Sequence, residues 1–129
     1  MNKEAHAWLD RANEDLLAAR KLEPELILSG LAAFHAQQAI EKAFKAVIIV
    51  QKGRLTRIHD LKRLGSEVEG FSFSDADEQT LVDLSTLYIE SRYPGDFGML
   101  PDGRPGKNDV ERFIAFAEQI HQRAVELVG

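Results

Sequence analysis

Two stretches of the chain gather side chains able to do chemistry. Arg54-Leu55-Thr56-Arg57-Ile58-His59-Asp60-Leu61-Lys62-Arg63 crowds bases around an imidazole near the start of an expected helix. Guanidinium groups there could hold phosphate, and His59 could contact the same anion or move a proton. Tyr88-Ile89-Glu90-Ser91-Arg92-Tyr93-Pro94 sets an arginine and a tyrosine at the expected end of another helix. Arg92 could grip a phosphate through two parallel hydrogen bonds, and Tyr93 could stack on a base. The alternative for Arg92 is structural: capping carbonyls or pairing with an acid.

Other catalytic patterns are missing. The sequence holds no His-Glu-x-x-His, no glycine-rich loop ending in Lys-Ser or Lys-Thr, and no glycine fingerprint after a strand. His6, His35, His59 and His121 lack a carboxylate or second histidine at helical metal spacing on a matching face, so no metal is expected. Gly103-Arg104-Pro105-Gly106-Lys107 reads either as an ordinary loop or as backbone amides that cradle an anion.

The formal net charge of −5 argues against general affinity for nucleic acid. The charge is uneven, however, because Lys52, Arg54, Arg57, Lys62 and Arg63 face one acid, Asp60, in the same segment. Such a patch could engage a few phosphates, or it could pair with the acidic helices around it. Absence of cysteine removes disulfides, thiolate metal sites and thiol nucleophiles, and fits a reducing compartment. The polar opening Met1-Asn2-Lys3-Glu4-Ala5-His6 lacks a signal-peptide apolar segment, and the longest apolar run, Ala46 to Val50, is far short of a membrane span. A soluble, cytoplasmic protein without membrane contact is expected.

The elements that would position these residues read as helices. Their 129 residues suit a single domain, 1–129. A first helix over about Lys3 to Leu22 turns Trp8, Ala12, Leu16 and Ala19 inward and ends before Pro24. A second, from about Glu25 to Gln51, carries Ala32, Ala36, Ala39, Ala43 and Ala46, continuing to Val50, on one narrow stripe that lets a neighbour approach closely. Its polar ladder, His35, Gln38, Lys42 and Lys45 with Glu41 alongside, is either a solvated face or a ligand face.

A short third helix should begin near Thr56 to His59 and stop around Gly70, burying Ile58, Leu61, Leu64 and Val68. Ser74 suits an N-cap for a fourth helix with Leu81, Leu84 and Tyr88 inward, ending near Ser91 to Tyr93. Seven prolines and glycines between Pro94 and Gly106 mark a loop. The last helix should open at Asn108 or Asp109, with Glu111 completing a capping box to Asn108. Together these predict an all-α, up-down four-helix bundle with one short additional helix. At about 1.5 Å per residue the second helix is long enough to supply a dimer face as well.

Trp8 with Asp15-Leu16-Leu17-Ala18-Ala19, the run Ala33-Phe34-His35-Ala36-Gln37-Gln38-Ala39-Ile40-Glu41-Lys42-Ala43-Phe44-Lys45-Ala46, His59-Asp60-Leu61 and Ser91-Arg92-Tyr93-Pro94 together resemble the HEPN domain. The resemblance spans nearly the whole chain. It implies a bundle that dimerises, a cleft at or near the dimer interface for nucleotides or RNA, no cofactor, and a minimal nucleotidyltransferase as partner in a toxin–antitoxin-like pair. Ribonuclease members use an arginine followed four to six residues later by a histidine. Here Arg92 matches the arginine, but Asp96-Phe97-Gly98-Met99 holds no histidine.

A non-catalytic binding protein is therefore expected, with Lys42, Lys45, Arg54, Arg57, His59, Arg92 and Tyr93 as the ligand surface. One alternative is a metal-independent endoribonuclease using Arg92 or Arg54 with His59. Another is a protein-interaction module without nucleotide affinity.

Overall fold

The alanine stripe of the second helix is sealed, and the bundle is organised around it. A computed structural model describes residues 2–129 apart from Tyr88 and residues 90–93. Five α-helices are described: α1 Lys3–Leu22, α2 Ser29–Lys52, α3 Leu61–Glu67, α4 Asp75–Ser85 and α5 Lys107–Val128. Short 3-10 turns occupy Leu26–Leu28 and Pro94–Asp96, and no strand occurs among the described residues.

Ala32, Ala33, Ala36, Ala39, Ala43 and Ala46 are completely buried in α2, as are Ala5, Ala12 and Ala19 of α1. With small alanine side chains on both helices, α1 lies along α2 more extensively than any other pair of described helices, and α5 covers a second side of α2. Phe44, Ile40 and Ile48 of α2 fill the space between α2 and the rest, with Leu61, Leu64, Leu81, Leu84, Phe113 and Ile114 around them. Val50 lies past the sealed stripe, 38% exposed.

Four boundaries differ from expectation, each for a local reason. Ahead of Ser29 the chain makes a tight turn instead of helix, because the Ile27 carbonyl accepts a hydrogen bond from Arg104 Nη1 at 2.7 Å. The third helix starts only at Leu61: Asp60 is its N-cap and accepts from the Arg63 amide at 3.1 Å. His59 thus stands just outside that helix. The fourth stops at Ser85, where the Thr86 amide is shared between the Val82 and Asp83 carbonyls, the Leu87 amide bonds three residues back to Leu84, and Thr86 Oγ1 and Ser85 Oγ bond back onto the Asp83 and Leu81 carbonyls of the last turn. The last helix is capped at Gly106, whose amide donates to Asp109 Oδ2 at 2.9 Å, so the Asn108–Glu111 box does not form. Tyr88 and the expected helix end at Ser91 to Tyr93 lie outside the described residues.

Ser74 caps α4 as its sequence suggests, accepting from the Asp77 amide while Asp77 accepts from that of Ser74. Ser74→Ala should cost about 1 kcal/mol, read as a shift in a urea denaturation midpoint at unchanged slope.

The described part of the loop, 94–106, is docked against the start of α2. The Phe97 ring lies 5.0 Å from that of Phe34, Arg104 holds the Ile27 carbonyl, and Pro105 is buried. Between these contacts Gly98 meets Gly30 backbone to backbone, at a separation that would put a Cβ on Gly98 2.4 Å from the Gly30 oxygen.

Candidate functional site

The polar ladder of α2 is not a solvated face. Glu41, Lys45 and Gln37 are 7%, 5% and 5% exposed, and Asp15 of α1, which meets this ladder, is 8% exposed. Charges so far from water require partners. They find them in two clusters.

In the first, Asp15 Oδ1 lies 2.8 Å from His35 Nδ1, while Oδ2 accepts from Lys42 Nζ at 2.6 Å. An ionised carboxylate only accepts, so His35 carries its proton on Nδ1 and turns Nε2 away from Asp15. In the second, Glu41 Oε2 accepts from Lys45 Nζ at 3.2 Å and lies 3.3 Å from His59 Nδ1, with Lys45 Nζ 3.2 Å from that same nitrogen. Lys45 also sits 5.4 Å from the ring centroid of Trp8, the sole tryptophan. His59 Nδ1 donates to Glu41 when protonated and accepts from Lys45 when not. A ligand that touches the outer nitrogen of this ring, which is 71% exposed, would therefore select its tautomer.

Beside the second cluster opens a cleft of about 620 Å³. Helix α2 contributes Phe34, Gln37, Gln38 and Glu41; the entry to α3 contributes His59, Asp60 and Leu61; and Leu84, Ser85 and Ile89 close the far side. The cleft combines hydrocarbon walls with amide and carboxylate groups, the composition expected of a pocket for a polar organic ligand. In the segment that brings His59, Asp60 and Leu61 to the cleft, Lys52, Arg54, Arg57, Lys62 and Arg63 are all exposed, and none forms an ion pair with a described residue. The two possibilities for this segment are thereby separated: among the described residues, its charge is not spent on the neighbouring acidic helices.

The sequence-derived candidates fall into three groups. His59 lines the cleft, and Arg54 and Arg57 precede it in the exposed connection between α2 and α3. Lys42 and Lys45 are bonded to Asp15 and Glu41. Arg92 and Tyr93 lie outside the described residues.

Asp15, Gln37 and Glu41 were not among the candidates, although the two carboxylates carried a signal. Asp15 falls between Ala12 and Ala19 on the buried stripe of α1, and Glu41 shares a row with Phe34, Phe44 and Ile48. A carboxylate on an apolar row must meet a cation inside the fold. Among the described residues, no group of three or more His, Asp or Glu is placed to hold a metal ion, and no helix is long and apolar enough to cross a membrane.

The architecture is that of an all-α protein with a long alanine-faced central helix whose polar edge floors a cleft. Family comparison agrees with it: the HEPN domain model matches residues 5–128, and the chain belongs to that family. The fold is similar to that of an archaeal HEPN homologue, ST0689, at 22% identity and a TM-score of 0.69, with 99% of this chain and 100% of that one covered. It is also similar to TT1696 from Thermus thermophilus, at 24% identity and a TM-score of 0.77, with 98% and 99% covered. No curated protein matches the chain.

Proposed function

We propose that this HEPN-family protein binds a nucleotide or RNA in the α2–α3–α4 cleft, without cleaving it. The observation that carries this reading is a cleft with hydrogen-bonding groups suited to a base or ribose, entered at His59, Asp60 and Leu61 by a segment whose five exposed cations have no ion-pair partner among the described residues and suit phosphate. Arg54, Arg57 and His59 are the first phosphate ligands, since Lys42 and Lys45 would have to leave a carboxylate to reach one. Arg92 and Tyr93, which follow cleft-lining Ile89 in sequence, complete the ligand surface. Lack of a histidine four to six residues after Arg92 supports binding without hydrolysis. The working unit is a homodimer acting with a minimal nucleotidyltransferase, in the manner of a toxin–antitoxin pair.

A specific observation favours the endoribonuclease alternative: buried Glu41 orients His59 at the cleft, as a carboxylate orients a general base. Incubation of the pure protein with labelled RNA in EDTA separates the readings. Cleavage that disappears in His59→Ala would identify the enzyme.

The binding test is calorimetric titration with ATP, GTP and a short single-stranded RNA at two salt concentrations, on wild type, Arg92→Ala and Arg54→Ala/Arg57→Ala. Saturable binding should weaken with salt and in Arg92→Ala. For RNA the double variant should flatten the slope of log K against log[salt] by about 1.4, at about 0.7 for each phosphate no longer neutralised. Absence of binding by all three ligands would leave the protein-interaction reading.

A further inference from the structure

We propose that the cleft selects guanine, an inference that rests on the nucleotide-binding reading above and names its base. The selecting group is Glu41. More than nine-tenths buried, it spends only Oε2 on Lys45 and His59, while Oε1 makes no hydrogen bond with any described residue. That oxygen is not among the buried polar atoms left without a partner, so it remains reachable, and Glu41 lines the cleft.

One helical turn earlier, Gln37 is equally buried. Its Oε1 accepts from Gln38 Nε2 at 2.7 Å, which leaves Gln37 Nε2 as a donor and Gln38 Oε1 as an acceptor that no described residue uses. Residues four apart on a helix are about 5–6 Å from one another, a spacing that one base edge can bridge. The α2 side of the cleft therefore presents an acceptor-only carboxylate beside an amide donor.

The bases differ in how they meet this pattern. Guanine offers two adjacent donors, N1–H and the 2-amino group, beside its O6 acceptor. Glu41 Oε1, with two lone pairs, can take both neighbouring donors, and Gln37 Nε2 can donate to O6. Adenine offers a donor next to a bare ring nitrogen, whose lone pair would face the carboxylate across a site with little water to screen them. Phe34, Leu84 and Ile89 supply apolar surface for the ring faces, and the remaining volume runs toward His59, where ribose and phosphate would lie.

The test is titration of the wild-type protein with GMP, IMP and AMP, followed by calorimetry and by the fluorescence of Trp8 beneath Lys45. GMP should bind at least about tenfold tighter than AMP, the discrimination expected when a buried charged acceptor loses its donors. IMP, which lacks the 2-amino group, should bind several-fold weaker than GMP. On the protein side, Glu41→Gln/Lys45→Met removes both charges together and should bring GMP and AMP within about threefold of each other. If that variant fails to fold, the IMP comparison in the unaltered protein decides. Binding of AMP as tight as GMP, or of IMP equal to GMP, overturns the guanine assignment while leaving nucleotide binding intact. Absence of binding by all three, with RNA also inert, overturns the reading beneath it.

Discussion

Lys45→Met should destabilise the protein by about 3–5 kcal/mol, among the largest effects open to a single substitution in this fold. Methionine keeps an unbranched side chain against Trp8 but leaves the Glu41 carboxylate inside the protein without its cation. An isolated buried charge is far more costly than a missing ion pair. The double variant Glu41→Gln/Lys45→Met should therefore recover most of the loss, and a double-mutant cycle in urea would yield the coupling between the two positions. His59 Nδ1 lies close to the same oxygen and can donate to it, so His59→Ala in the Lys45→Met background should deepen the loss. A cost below about 1 kcal/mol for Lys45→Met would place the pair in solvent instead, where such bridges contribute little. The same result would remove the reason for treating Glu41 as a rigid acceptor in the cleft.

Gly98→Ala should undock the loop from α2 and lower stability by about 2–4 kcal/mol. Two independent penalties meet at this residue. Its φ of +74° lies where only glycine is free of steric cost, and its added Cβ would sit 2.4 Å from the Gly30 carbonyl oxygen and 2.5 Å from the carbonyl carbon. Backbone atoms cannot swing aside as a side-chain tip can, so the loop must move. Amide exchange should then quicken around Phe97 and Leu100, whose contacts keep the loop in place, while α1 and α5 retain their protection. Gly53→Ala is the control: its φ of +73° matches that of Gly98, but nothing lies within 4 Å of its Cβ position, and it should cost only about 1–2 kcal/mol. Equal behaviour of the two variants would mean that the Gly98–Gly30 contact does not hold the loop.

Much of the fold was legible because it depends on periodicity and punctuation. The alanines of α2 repeat at steps of three and four, and the bounds expected for α1 agree with those observed, Lys3–Leu22. Ser74 declared a cap by its type and its neighbours. Boundaries were missed where a distant or competing group intervened. Arg104, far along the chain, takes a carbonyl just ahead of Ser29; Ser85 and Thr86 redirect their hydroxyls onto the last turn of α4; and Asp109 serves the Gly106 amide in place of the expected Asn108–Glu111 box. None of these choices follows from hydrophobic pattern, because each is settled by which donor finds an acceptor in three dimensions.

The site divides in the same way. By itself the sequence determined a helical chain of HEPN type, a basic segment with His59 inside it, and a central helix bearing amides, lysines and a glutamate, since residue type and helical spacing are properties of the chain alone. Only the tertiary structure decided which charges remain free. Folding brings Asp15 from α1 to Lys42 and His35, closes Glu41 on Lys45 and His59, and leaves Arg54 and Arg57 without an acid among the described residues. Availability of a charge depends on distance and burial between segments far apart in sequence. Those are set when the helices pack, and that packing turns a row of polar residues into a structural ion pair, an oriented histidine and an open cleft.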